Sequence, residues 1–257
     1  MREIELSFQK NIRDLGGLVG YQGKKVKCGR LFRGGFLNRI NSEDAEILRS
    51  LNLTHIIDFR SRDEFINRPD YRLDNVQYFN FSPLIDHFNE DQKKLADGNL
   101  LWFVSSDGTG KDHMFKMYKE MVNSETGKSA YRQFFKLILD NPNGVFYFHC
   151  SQGKDRVGLA SFYIEMILGV DMNTAIEDYL RSNNAMKIRV EYLLKMVENK
   201  PYFDEAYHQS LLDVFSAKEE YLNASIDEMI KNSGSILGYI EKELGVDIDK
   251  FRKIFLE

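Results

Sequence analysis

Only two cysteines, Cys28 and Cys150, occur in the 257 residues, and they lie far apart. Two thiols cannot form the multi-bridge framework of small secreted domains, and neither sits in a CxxC pair or at metal-ligand spacing from a histidine. A single Cys28–Cys150 bridge stays open, but a reducing compartment is the expected setting. There are only four prolines, no Pro/Gly-rich linker, no internal repeat and no low-complexity tract. No apolar run approaches the roughly 18 residues of a membrane span, and MREIELSFQKN has no apolar core of signal-peptide length. The expectation is a cytoplasmic protein without an integral membrane segment; a mature secreted form would look the same. Net charge is −4, which gives no general attraction to nucleic acid, so any anion site must be local.

What is present suits a packed core: 43% of residues are apolar and 13% aromatic. The N-terminal third reads as short strands and turns with one helix. In NSEDAEILRSLN, Asn41 or Ser42 can cap, acids fill the first turn, and Ile47, Leu48 and Leu51 form an apolar face. LTHIIDFR reads as a buried strand from Thr54 to Phe59, VQYFNF as another, and GVFYFH as a third. HMFKMYKEMV, YRQFFKLILDN and RVGLASFYIEMILG read as helices, the last ending near Gly169. Residues 84–112 are polar and turn-rich, which suggests an insertion or lid, and residues 173–257 are patterned as helices almost throughout. Strands alternating with helices predict an α/β fold: a mostly parallel central sheet flanked by helices, with a helical C-terminal extension. One domain over 1–257 is expected.

The stretch VFYFHCSQGKDRVGLASF carries the chemistry. With GVFYFH in the sheet and RVGLASF in a helix, CSQGKD becomes a turn at the carboxyl end of a parallel strand, a ligand position in open α/β sheets. Backbone N–H groups of Ser151, Gln152, Gly153 and Lys154 can converge there, and the helix N-terminus adds positive partial charge. Gly153 permits the bend. Arg156 can lay its guanidinium fork over the same point. Cys150 at the mouth of such a nest favours the thiolate. A tetrahedral dianion with a nucleophile aimed at its phosphorus implies phosphoryl transfer through a phosphocysteine. A bare Cys-x5-Arg also arises by chance, and free cysteine is often just a small buried hydrophobe; the strand, glycine and helix around it favour the nucleophile.

HCSQGKDRVG resembles the signature loop of cysteine-dependent protein tyrosine phosphatases. Its GKDR form resembles the atypical bacterial subgroup of tyrosine and lipid phosphatases, the PtpB/LipA-like family. NIRDLGG resembles that subgroup's Asn-Phe-Arg-Asp motif and LFRGGFLNRI its Leu-Phe-Arg-Ser element. IIDFRSRDEF resembles its Asp-Leu-Arg-Ser strand end, and EDYLRSN its Asp-Tyr-Leu-x-Ser-Asn helix. EEYLNASIDEMIKNSGSILGYIEKELGV resembles its C-terminal helices.

The resemblance implies a phosphotyrosine phosphatase acting on phosphoproteins, with phosphoserine/threonine and phosphoinositides as further substrates. It implies no metal and no other cofactor, the arginine and amides supplying the positive charge. Cys150 is expected to be the nucleophile and Arg156 the phosphate clamp. Lys154 is expected to reach a second phosphate or lipid headgroup; a solvated loop lysine is the plain alternative. His149 is expected to orient the loop through backbone hydrogen bonds and to tune Cys150, rather than to transfer protons; a merely structural histidine is the plain alternative. The general acid is expected to be Asp155 or Asp86, with another acid such as Asp58, or water, as the remaining alternative. Asp58 and Arg60 are expected to support the loop, with Arg13, Asp14, Arg33, Asp178 and Asn183 in a layer behind. Val157 departs from the family pattern, which places Ser or Thr after the arginine; its absence should slow hydrolysis of the phosphocysteine. A weakly active or inactive phosphate-binding module is therefore the competing reading. A cysteine-based sulfurtransferase or arsenate reductase shares the logic, but no resolving cysteine lies nearby. Oligomeric state is not legible.

Overall fold

The structure, a computed structural model, describes residues 2–9, 11–85, 110–200 and 203–257. Its sheet has strands β1 (Arg2–Ile4), β2 (Ile12–Asp14), β3 (Leu31–Gly35), β4 (His55–Asp58), β5 (Gln77–Asn80) and β6 (Phe146–Cys150). They lie in the order β1-β2-β3-β6-β4-β5. The β3, β6, β4 and β5 pairings are parallel, and the β1 and β2 pairings at one edge are antiparallel. β6 thus sits at the centre. Its sequence FYFHC is buried throughout, as befits a parallel strand covered on both faces. Alternation decides which face each side chain joins. Phe146, Phe148 and Cys150 enter the larger core, whereas Tyr147 joins the smaller cluster with Ile4, Ile12, Phe32, Leu48 and Ile56.

Ten helices surround the sheet among the described residues: α1 (Ser42–Ser50), α2 (Arg62–Asn67), α3 (Gly110–Asn123), α4 (Glu125–Asp140), α5 (Asp155–Leu168), α6 (Met172–Val197), α7 (Glu205–Phe215), α8 (Glu219–Ser233), α9 (Ile236–Lys242) and α10 (Ile248–Phe255). Asn41 caps α1 by accepting from the Asp44 amide, as the sequence predicts. α5 is the central helix. Every residue from Arg156 to Leu168 is buried, so it is apolar nearly all round and cannot be a surface helix. It stops at Gly169, whose φ of 73° is a left-handed C-cap.

The C-terminal helices belong to this packing. Tyr239, Phe251 and Phe255 share one apolar cluster with Phe148 and Val157. The Lys25 and Lys27 amides also donate to the carbonyls of Glu257 and Phe255. Within the helical stretch expected from residue 173 onward, TAIEDYLRSN and VEYLLKMV fall on the single helix α6, because neither Gly nor Pro separates them. α2 was not legible: six residues are too few for periodicity, and a Ser61/Glu64 capping box holds it. Of the expected insertion at 84–112, Leu84 is buried in the core and residues 110–112 begin α3; residues 86–109 lie outside those described. Among the described residues no helix is long and apolar enough to cross a membrane.

Candidate active site

β6 delivers Cys150 to the carboxyl edge of the sheet, opposite Gly35 of β3. Residues 151–154 then turn into α5. Gly153 has φ of 66°, and a Cβ there would fall 2.4 Å from the carbonyl carbon of Gly34. Only glycine fits, because the loop lies directly on the β3 backbone. The loop's orientation is fixed from outside. Asn11 Nδ2 donates to the carbonyls of Gln152 (3.0 Å) and Gly153 (2.9 Å), and Arg33 Nη2 donates to Gly153 O (2.9 Å). In a planar trans peptide the C=O and the following N–H point opposite ways. Carbonyls held outward therefore turn the amides of Gly153 and Lys154 inward, at the mouth of Cys150 and the N-terminus of α5. That is an anion nest.

The outer frame hangs on Asp178 of α6. Its carboxylate accepts from Arg13 Nε (2.6 Å) and Arg33 Nη1 (2.5 Å), all three residues being buried. Arg13 in turn donates to Asn11 Oδ1 (2.5 Å). Asn11 itself has φ of 66°, a conformation asparagine tolerates better than most residues. Burial opposes charge on Asp178, but Arg33 and Arg13 outweigh it and hold the carboxyl below its ordinary range. Glu165 on α5 faces the same cluster; burial, with Asp178 beside it, pushes its carboxyl well up. Asp178 is accordingly the anion of the frame.

Arg156 leaves the first turn of α5 buried. Its Nη1 donates to Glu64 Oε2 (3.0 Å) and Phe59 O (3.3 Å), and its Nη2 to Ser151 Oγ (3.1 Å). Ser151 Oγ donates to the other Glu64 oxygen at 2.5 Å. Burial disfavours the Glu64 carboxylate, yet Arg156 and Ser151 bring its pKa down to about 2. Burial likewise opposes the Arg156 charge, and Glu64 and Cys150 raise its pKa nonetheless. The guanidinium is thus a permanent cation, aimed along the loop by a carboxylate.

Behind the loop, His149 points to the opposite face from Cys150. Its Nε2 lies 2.9 Å from Asp70 Oδ2 and its Nδ1 3.7 Å from Asp58 Oδ1. Neither contact has the geometry of a well-directed hydrogen bond. Arg60 grips Asp58 through Nε (2.9 and 3.0 Å) and Nη2 (2.6 Å), and reaches Asp70 Oδ1 at 3.3 Å. Asp58, Asp70 and His149 are close enough to hold a metal ion, but the Arg60 guanidinium already supplies a cation to both carboxylates.

A buried thiol at a strand end, an inward amide nest and a fixed guanidinium are together able to receive a tetrahedral oxyanion. The model of the tyrosine phosphatase family matches residues 4–257. The chain belongs to the tyrosine phosphatase family. It is 27% identical, over 98% of its length and 88% of the relative's, to a Cupriavidus necator protein named for tyrosine-protein phosphatase activity. It is 23% identical, over 98% of both chains, to the triple specificity protein phosphatase PtpB of Mycobacterium tuberculosis. Among solved structures, the core catalytic domain of the PP-IP phosphatase SIW14 from S. cerevisiae aligns over 87% of this chain and 96% of its own. That match has 13% identity and a TM-score of 0.39, so the fold rests on the sheet order above.

Not every expected residue of this phosphatase lies where the sequence suggested. Lys154 is neither solvated nor free to meet a second phosphate. It is buried, and its Nζ donates to Val214 O (2.5 Å) and Ser216 O (3.3 Å) at the end of α7, with Asp155 Oδ1 at 3.4 Å. His149 faces carboxylates, not backbone. Asp58 and Arg60 form a buried ion pair, and Asp58 lies beside His149 at the base of the loop. Gln152 contributes its carbonyl. Asp155 receives a hydrogen bond from Tyr118 (2.8 Å), whose hydroxyl also meets that of Tyr179 (2.7 Å). Asp86 lies outside the described residues. Arg13, Arg33 and Asp178 form the expected outer layer. Asp14 instead accepts from the Gly16 and Gly29 amides, and Asn183 pins both backbone groups of Ala217. Val157 is wholly buried in the core. Asn11, Glu64, Asp70 and Tyr118 were missed; for Glu64 the Ser-x-x-Glu capping spacing was the available signal.

Two outcomes follow from this geometry. Gly153→Ala should abolish oxyanion affinity, read as loss of vanadate inhibition, while leaving most of the fold intact by circular dichroism. Glu64, with its pKa lowered to about 2 from 4.5, contributes stability that is present above pH 4.5 and lost as pH falls through 2. In acid titrations monitored by fluorescence, Glu64→Gln should therefore flatten the loss of stability over that window and lower stability at pH 7.

Proposed function

We propose that the chain hydrolyses phosphotyrosine in proteins through a phosphocysteine intermediate. The observation that carries this reading is the juxtaposition of Cys150, the inward amides of Gly153 and Lys154, and Arg156. In the first step Cys150 Sγ attacks phosphorus, the P–O bond to the tyrosyl oxygen breaks, and Asp155 gives that oxygen a proton. The amides and Arg156 bear the charge on the phosphoryl oxygens, Arg156 trading its Ser151 contact for one to the substrate. In the second step water attacks phosphorus, the S–P bond breaks and Cys150 leaves as thiolate. The Asp155 carboxylate takes the proton from water.

Tyr118 supports this role of Asp155. Burial first, then Asp155 and Tyr179, raise its phenol well above the usual range, so it stays a donor and fixes the carboxyl's rotamer. The mycobacterial relative is named for triple specificity, and the resemblance to its subgroup extends the proposal to phosphoserine, phosphothreonine and phosphoinositides. Buried Lys154 offers no headgroup contact for the last of these, so phosphotyrosine should lead in a side-by-side panel of phosphopeptides and phosphoinositides.

The deciding assay is p-nitrophenyl phosphate turnover without added metal. Wild type should turn over, Cys150→Ser should lose all activity, and Asp155→Asn should lose roughly 10²–10⁴-fold, most on poor leaving groups. Vanadate binding without turnover by wild type would instead indicate a binding module, and an undiminished Asp155→Asn would move the acid to Asp86.

Val157 supplies no hydroxyl to the departing thiolate. Val157→Thr should raise steady-state turnover more than the burst in rapid-quench kinetics; no change in either phase would remove Val157 from the account.

A further inference from the structure

The buried charges behind the loop do not balance unless His149 is charged. Asp58 and Asp70 carry two negative charges and Arg60 one positive, all within a few ångströms and each about 1% exposed. A neutral imidazole would leave a net buried anion, which is costly away from water. An imidazolium closes the count at zero, and each of its ring nitrogens has a carboxylate oxygen within reach. The other groups facing it are the Arg60 guanidinium and the Tyr147 ring, stacked at 5.6 Å. Tyr147 stays neutral, since burial, then Asp70 and Cys150, push its phenol well up.

We infer that Asp70 is a positioning residue for the phosphatase reaction, holding His149 as an imidazolium directly behind the Cys150 nucleophile. This role builds on the reaction proposed above. Asp70 lies in the loop after α2, and its other oxygen accepts from the Leu37 amide at 2.8 Å. Its carboxylate is thus fixed from two sides before it meets the histidine. His149 is fixed as well, because it sits in β6 opposite Asp58 and its carbonyl accepts from Phe59 N at 2.8 Å. A positive charge on the residue preceding Cys150 attracts the negative charge that the sulfur carries as it attacks and as it leaves. The two partners shift in opposite senses. Burial resists each charge, but His149 and Arg60 lower Asp70 to about 2, while Asp70 and Asp58 raise His149. The sign for histidine follows: the pair's contribution to stability is complete below the ordinary pKa of about 6.5 and is lost as pH climbs through the raised value.

The test is Asp70→Asn, a near-isostere that keeps the Leu37 contact and removes the charge. Alkylation of Cys150 by iodoacetamide at pH 7 should slow about tenfold, and the alkaline limb of kcat/KM should move down by about one pH unit. An unchanged alkylation rate and limb in a folded variant would overturn the role. Should Asp70→Asn fail to fold, heteronuclear NMR of the wild-type histidines decides. A His149 ring still charged at pH 7.5 supports the proposal; a neutral ring at that pH contradicts it. Neither the NMR nor the alkylation needs turnover, so an inactive wild type would refute the proposed reaction without touching this result.

Discussion

Everything at this site depends on which way two peptide groups face. The carbonyls of Gln152 and Gly153 are drawn outward by Asn11 and Arg33, and their partner amides are thereby committed to the cradle. Neither Asn11 nor Arg33 is free to wander, because Arg13 holds the first and Asp178 holds both arginines. One buried carboxylate on α6 thus sets the direction of backbone dipoles at the start of α5. Preorganisation of this kind does its work before substrate arrives, since no dipole must reorient as charge develops.

The same logic explains why polar residues are clustered in the interior despite its cost. Buried ion pairs rarely stabilise a protein as much as apolar packing would, but breaking one is severe. Here the ionic groups form separate sets with distinct tasks: Asp178 with Arg13 and Arg33 around the loop, Glu64 with Arg156 along it, and Asp58, Asp70, Arg60 and His149 behind it. Lys154 adds a further tie, since its ammonium on the last carbonyls of α7 also meets the negative end of that helix. The loop is therefore coupled to the C-terminal helices through a residue expected to reach a second phosphate or lipid headgroup.

That contrast shows what the sequence could and could not disclose. The strand, Cys150, Gly153, Arg156 and the helix after them are consecutive, so period, spacing and helix-start chemistry sufficed to read them. Asp178, Arg13 and Arg33 were reachable through the family motifs that contain them. Glu64 and Asp70 were not, because they meet Arg156 and His149 from 92 and 79 positions away and only the sheet order brings them there. Lys154 failed for a different reason. Its direction is set by where α7 ends, a tertiary fact that overrides the usual preference of lysine for water.

The most direct measurement of the central claim is a crystal structure of the wild-type protein with vanadate. The account predicts the oxyanion at Cys150 Sγ with the Gly153 and Lys154 amides and the Arg156 fork on its oxygens, and with Asn11 and Arg33 still on the outward carbonyls. A vanadate bound elsewhere, or a loop whose Gln152 and Gly153 carbonyls face inward, would contradict it.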